Sequence, residues 1–151
     1  MATYFLTWTT YGTRLHGDHR GSVDKRHHTP GTPLIPTNVH FSRLDRSRLK
    51  NPPIILNPRQ RQIVDQTIRD HCRHRSWTLH AINVRTNHVH TILSADVRPE
   101  VALGQLKAWS SRRLRQHHLA QERIWTTHGS TRWINTSEAF SHAVHYVQNC
   151  Q

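Results

Sequence analysis

The chain has 151 residues, with 21 Lys and Arg against 9 Asp and Glu, a formal net charge of +12 and an isoelectric point near 11.3. A chain this long buries roughly two-thirds of the surface its unfolded form exposes, so one domain spanning 1–151 is expected, with no metal or disulfide needed to keep it folded. Only two cysteines, Cys72 and Cys150, are present, which excludes a zinc ribbon and a secreted disulfide framework and fits a reducing cytoplasm. No apolar run approaches the roughly 20 residues of a membrane span, and MATYFLTWTT is too short and too polar for a signal peptide, so a cytoplasmic protein without a membrane partner is expected. Almost all of the positive charge is arginine. Its planar fork matches phosphate oxygens in pairs, which points to a polyanion such as nucleic acid; the plainer reading is a basic surface with no particular partner.

In chain order, Thr3 to Thr10 (TYFLTWTT) is dense in aromatic and β-branched residues and reads as a buried strand. The segment after it, YGTRLHGDHRGSVDKRHHTPGTPLIPTN, is punctuated by Gly12, Gly17, Gly21, Gly31, Pro30, Pro33 and Pro36 and reads as a long loop. A short basic helix is expected over 41–50, before the Asn51-Pro52-Pro53 break. From Pro58 the spacing of Ile63, Val64, Ile68 and Cys72 predicts a helix with proline in its first turn. Two alternating segments follow, Trp77 to Arg85 and His88 to Ala95, separated by little more than Thr86-Asn87, and they predict an antiparallel pair. Pro99 opens a helix to about His118. Its apolar face carries Val101, Leu103, Leu106, Trp109 and Leu114, and its other side Lys107, Arg112, Arg113 and Arg115. A link with Trp125 and THGSTRW holds a further short strand or two. Thr136 or Ser137 then caps a last helix with Glu138 near its N-terminus. This order suits an α+β sandwich in which helices pack on one side of an antiparallel sheet, leaving the other face for chemistry.

Within TNHVHTIL, His88 and His90 project from the same face of a strand with a rise of about 7 Å between them, near enough for two imidazoles to share an ion. Histidine makes up 15 of the 151 residues, so roughly one His-x-His is expected by chance, and the alternative is a pair of surface histidines held by hydrogen bonds. In the last helix, SEAFSHAVHYVQNCQ, the stripe is Phe140, Ala143, Val144 and Val147. Tyr146 lies at its margin, four residues after His142. Taken alone it reads as a core residue with its hydroxyl at the surface. A phenol can also attack phosphorus when the phosphate is polarised and charge on the nucleophile is stabilised.

Together, a His-hydrophobe-His strand, one tyrosine on a later helix and a small basic α+β domain resemble the single-tyrosine HUH transposases. Within that group the similarity is greatest to the IS200/IS605-like and REP-associated tyrosine transposases. TTYGTRLHGDHRGSVD, RTNHVH, WTTHGSTRW and AVHYVQNCQ stand in the order of REP-associated members, so the resemblance covers nearly the whole chain.

The resemblance implies a ferredoxin-like HUH sandwich, with a central antiparallel β-sheet, helices packed on it and the catalytic tyrosine on the C-terminal helix. It implies that His88 and His90 bind Mg²⁺ or Mn²⁺ and that Tyr146 attacks a single-stranded DNA phosphate, giving a 5′-phosphotyrosine link and a free 3′-hydroxyl. Relatives complete the metal shell with Gln or Asn four residues after the tyrosine. Here that position is Cys150, so Gln151 is the candidate third ligand and Asn149 the second choice. Tyr11, Arg14, His16 and Arg20 in the early loop, and His128, Ser130 and Arg132 in HGSTR, are candidate DNA contacts, the alternative for each being ordinary loop chemistry. Arg112 and Arg113, with Arg115, form a basic helix face suited to phosphates. Trp109 and Trp133 are either core residues or platforms for extruded bases. The implied partners are single-stranded DNA with a hairpin or palindromic repeat and, as in some relatives, a second copy of the chain as a homodimer. Two other functions compete: a domesticated hairpin DNA- or RNA-binding module without cleavage, and a hydrolytic metal phosphodiesterase. The paired His-x-Ser/Thr signature of one such class is absent, since His128-Gly129-Ser130 has no counterpart.

Overall fold

The computed structural model describes residues 1–13 and 51–149. Most of the expected long loop and the short helix expected over 41–50 lie outside them. Seven elements follow one another among the described residues: β1 (Ala2–Thr9), α1 (Pro58–His74), β2 (Thr78–Val84), β3 (His88–Ala95), α2 (Pro99–Gln116), β4 (Ser130–Ile134) and α3 (Ser137–Asn149). The strands form one sheet in the order β2-β3-β1-β4, and every neighbouring pair is antiparallel. No helix among the described residues is long and apolar enough to cross a membrane.

Alternation along β1 divides the sheet into two chemically distinct faces. Tyr4, Leu6 and Trp8 point into the main core, joined from β3 by Val89 and Leu93. From α1 that core receives Ile63, Val64, Ile68 and Cys72, and from α2 Ala102, Leu103, Leu106 and Leu114. Phe5 points the other way, into a smaller cluster with Ala81, Ile92, Ile134 and Phe140, Ala143, Val144 and Val147 of α3. The α+β sandwich is therefore three-layered. Two helices take the side expected of all three, and the last helix covers part of the face left for chemistry. The stripe read from α3 packs as the spacing predicts, because Phe140, Ala143, Val144 and Val147 recur on one side of a 3.6-residue helix.

Local signals set the helix starts. Asn57 and Gln60 form a reciprocal capping box at α1, Asn57 Oδ1 accepting from the Gln60 amide at 2.8 Å and Gln60 Oε1 from the Asn57 amide at 2.9 Å, and Pro58 opens the first turn. Thr136 caps α3, its hydroxyl accepting from the Ala139 amide at 3.1 Å. In α2 the periodicity was only partly informative: Ala102, Leu103, Leu106, Ser110 and Leu114 are buried, whereas Val101 and Trp109, expected on the apolar face, are exposed. Small Ala102 and Ser110 take the closely packed positions instead.

Beyond β1, Thr10 pins three segments together. Its amide donates to the Asn87 carbonyl at 2.9 Å, its hydroxyl donates to the Ile54 carbonyl at 2.7 Å, and it bridges Trp125. Truncating the fully buried Leu106 to Ala is expected to cost about 2–5 kcal/mol, and Asn57→Ala about 1 kcal/mol, in urea unfolding.

Candidate active site

The strand register assembles a polar row across the sheet face opposite α1 and α2. His90 lies opposite Thr7 on β1 and Asn83 on β2, and Thr7 lies opposite Ser130 on β4. Because paired residues share a face, the four side chains stand side by side across the sheet, one strand spacing apart. His88, opposite Thr9, comes next along β3 on that face.

His90 is only 6% exposed. Its Nδ1 is 2.9 Å from the Thr7 hydroxyl, and its Nε2 is buried with no hydrogen-bond partner among the described residues. The other buried polar atoms in that condition, Trp8 Nε1, Thr91 Oγ1 and Ser110 Oγ, belong to the helix-covered side of the sheet or to α2, away from this face. Burial, then the positive charges of His88 and Arg85, push the His90 pKa down to about 4, so the imidazole is neutral at physiological pH and retains a lone pair. His88 places its Nδ1 2.8 Å from Asn87 Oδ1. The two ring centroids are 4.7 Å apart with an interplanar angle of 68°. A metal–nitrogen bond of roughly 2 Å puts the centroids of two rings sharing an ion roughly 4.5–6 Å apart, so the pair fits a common cation. Among the described residues no third His, Cys, Asp or Glu joins them.

Helix α3 brings the phenol to this pair. Val147 is buried against Ala81 and Ile92, and Asn83 Nδ2 donates to the Val147 carbonyl at 2.9 Å. The residue before it, Tyr146, is thereby held with its ring 5.5 Å from His90 and 6.1 Å from Phe5, yet 49% exposed. Tyr146 is thus not a core residue: its ring meets that of His90 edge-on and is half exposed. The Asn149 amide donates to the His145 carbonyl at 2.9 Å. Gln151, Arg14, His16 and Arg20 lie outside the described residues.

The remaining candidates divide by face. Ser130 and Arg132 are exposed and share the face of His90, since Arg132 lies opposite Phe5. His128 is exposed in the left-handed region at φ 69°. The loop around it is fixed from behind by Lys107, whose Nζ donates to the Thr126 and His128 carbonyls at 2.7 and 2.8 Å; Lys107 thus binds loop backbone and does not extend the basic face of α2. Gly129 follows because a Cβ there would lie 2.7 Å from the Thr7 carbonyl oxygen. Tyr11, at 8% exposure, has its ring in the core, and the Arg123 guanidinium lies 5.9 Å over it. Arg112 and Arg113 sit on α2, across the sheet from Tyr146. Arg112 lies 4.4 Å over the Trp109 ring and His71 approaches the same ring at 5.9 Å, so Trp109 is engaged within the protein. Trp133 is exposed and meets Tyr4 edge-on at 4.8 Å, on the helix-covered side. Thr7, Asn83 and Asn87 were not singled out in the sequence; the pairing of TYFLTWTT with HVHTILSA was the signal that implicates Thr7.

The fold has counterparts among solved transposases. One is a REP-associated tyrosine transposase bound to a REP hairpin, 15% identical, covering 97% of this chain and 64% of that one at a TM-score of 0.56. Another is a protein of Deinococcus radiodurans described as a candidate transposase, 17% identical, covering 97% of this chain and 88% of that one at a TM-score of 0.56. This chain thus spans under two-thirds of the length of the hairpin-bound relative. At these identities the likeness is one of fold. No curated protein sequence matches. Residues 48–149 match the model of the IS200-like transposases, and the chain belongs to that family.

Two consequences are measurable on the metal-free protein. The unfolded chain binds a proton near 6.5 that folded His90 refuses until about 4, so stability is full above that window and falls as pH drops through it, with His80, whose pKa burial also lowers, adding the same sign. Urea unfolding in EDTA is expected to lose on the order of 2 kcal/mol across this window, after allowance for screening at the open side of the site, and less in His90→Leu. Gly129→Ala is expected to cost about 1–3 kcal/mol by forcing the Thr7 backbone away.

Proposed function

We propose that the protein is a metal-dependent single-stranded DNA transesterase in which Tyr146 is the nucleophile. The observation that carries this reading is the buried Nε2 of His90, without a hydrogen-bond partner among the described residues, beside the Tyr146 ring at 5.5 Å. A neutral imidazole nitrogen in that position is suited to a cation, and a half-exposed phenol beside it is suited to a phosphate on that cation. His88 and His90 would hold Mg²⁺ or Mn²⁺, with Gln151 as third ligand. Asn149, the second choice, has its amide turned to His145. When bound, such an ion supplies Lewis-acid withdrawal of charge from the scissile phosphate.

The residues of the chain do the rest. Tyr146 Oη forms a bond to phosphorus as the bond from phosphorus to the 3′-oxygen breaks. The phenolic proton is given up, and the departing oxygen takes one up as a 3′-hydroxyl. The product is a 5′-phosphotyrosine link that conserves the phosphodiester energy, so the reverse attack rejoins strands without an external energy source. Arg132 and Ser130, exposed on the same face, are placed to meet flanking phosphates, and His128 to reach the strand beyond them. The +12 charge draws the polyanion to the surface. A hairpin-bearing end is the proposed substrate, supported by the REP hairpin carried by the REP-associated relative.

Incubation with labelled single-stranded hairpin DNA and Mn²⁺, followed by a denaturing gel, is expected to show a covalent protein–DNA band. The band should disappear with EDTA and fall by at least about a thousandfold in Tyr146→Phe, the scale of losing a nucleophile. Binding without any such band would favour a cleavage-free binding module, and a band undiminished in Tyr146→Phe would remove Tyr146 from the reaction.

A further inference from the structure

We infer that Thr7 and Asn87 are positioning residues that hold His90 and His88 as the Nδ1–H tautomer, so that each ring carries its lone pair on Nε2. The inference rests on the metal reading above and adds to it the groups that prepare the ligands.

A neutral imidazole carries its proton on one nitrogen, and the partner of one nitrogen decides the chemistry of the other. His88 Nδ1 lies 2.8 Å from Asn87 Oδ1. A carboxamide oxygen only accepts, so the proton sits on Nδ1 of His88 and its lone pair is on Nε2. Asn87 is itself fixed: its carbonyl accepts the Thr10 amide at 2.9 Å and faces the Thr10 hydroxyl at 3.3 Å, and Thr10 is completely buried. The Asn87 side chain therefore projects from an anchored backbone at the head of β3.

For His90 the partner at Nδ1 is the Thr7 hydroxyl at 2.9 Å, which is able to donate or accept. The burial of Nε2 without a partner among the described residues separates the two cases. Were the hydroxyl to donate, Nε2 would carry a buried N–H with no acceptor, a penalty of about 1–3 kcal/mol that no cation relieves. With the hydroxyl accepting, Nε2 presents a lone pair, which a cation satisfies. Thr7 is fixed as firmly as Asn87, by its pairing with His90 and Ser130 and by Gly129, whose missing side chain lets the Thr7 carbonyl seat against it. Two acceptors from different segments thus impose one tautomer on both rings. Outer-shell partners of this kind typically change metal affinity about ten- to a hundredfold when removed.

Long-range ¹H–¹⁵N correlation of the imidazoles in the metal-free protein at about pH 8, above the ordinary histidine range, reads the tautomers directly, and Mn²⁺ titration followed by electron paramagnetic resonance reads affinity. His88 and His90 are expected as Nδ1–H in the wild type. Thr7→Val should release His90, and Asn87→Leu should release His88, into an Nε2–H population. Each should weaken Mn²⁺ binding about ten- to a hundredfold, while Thr7→Ser and Asn87→Asp, which keep the accepting oxygen, retain both tautomer and affinity. An Nε2–H signal at either histidine of the wild type, or wild-type Mn²⁺ affinity in both Thr7→Val and Asn87→Leu, overturns the inference. Nδ1–H rings in a wild type that binds no Mn²⁺ would uphold the tautomer assignment and overturn the metal reading alone. The wild-type spectrum and the two conservative variants keep the test decisive if an apolar variant fails to fold.

Discussion

The pairing of β1 with β3, which sets Thr7 opposite His90, is the constraint on which the rest of the molecule depends. β1 is an interior strand, and its two faces do opposite work: Leu6 and Trp8 are sealed in the main core, while Thr7 faces His90. A shift of one residue would put Leu6 or Trp8 on the site face and Thr7 in the core, which the apolar burial forbids. The register that protects the core is thus the same one that aligns the site. It also fixes Ser130 and Arg132, because β4 is registered on β1.

Much of this was legible in the chain because period-2 and period-3.6 patterns are strong where an element has one buried face. The hairpin of β2 and β3, the capped helix from Pro58, and the stripe of α3 all stand close to their expected bounds. What was hidden depends on layering. Nothing in the stripe of α3 says which side of the sheet it covers; that follows from Phe5, Ala81 and Ile92 offering a second, smaller apolar patch. Tyr11 looked like a loop residue because its sequence neighbours are polar, yet it is packed in the core, where its carbonyl accepts the Ile54 amide. Thr7 and Asn87 were invisible for a different reason: threonine and asparagine are ordinary strand and turn residues until the histidine nitrogen they meet is known.

The charge of the chain also divides on inspection. Lys107, Arg115 and Arg61 each donate to backbone carbonyls, at Thr126 and His128, Glu122 and Leu56 respectively, and Arg69 pairs with Asp65. These cations tie loops and helix faces in place while still contributing to the long-range field. Arg132 differs in standing exposed on the face that carries the histidines. A basic protein can therefore hold a buried, uncharged imidazole, that of His90, at the centre of its site: desolvation and neighbouring positive charge both favour the neutral ring.

The unequal anchoring of the three helices bears on how the protein opens. α1 and α2 are each rooted in the main core by several completely buried side chains, whereas among the described residues α3 has one buried residue, Val147, whose carbonyl accepts from the Asn83 amide. Cooperative units held by so little apolar surface are the first to exchange with solvent in a native ensemble. Of the three described helices, the one bearing Tyr146 is therefore the most shallowly rooted. A local opening there would carry the phenol away from His90 while the sheet, its register and the histidine pair stay intact, so the nucleophile and the ligand pair belong to units of different stability.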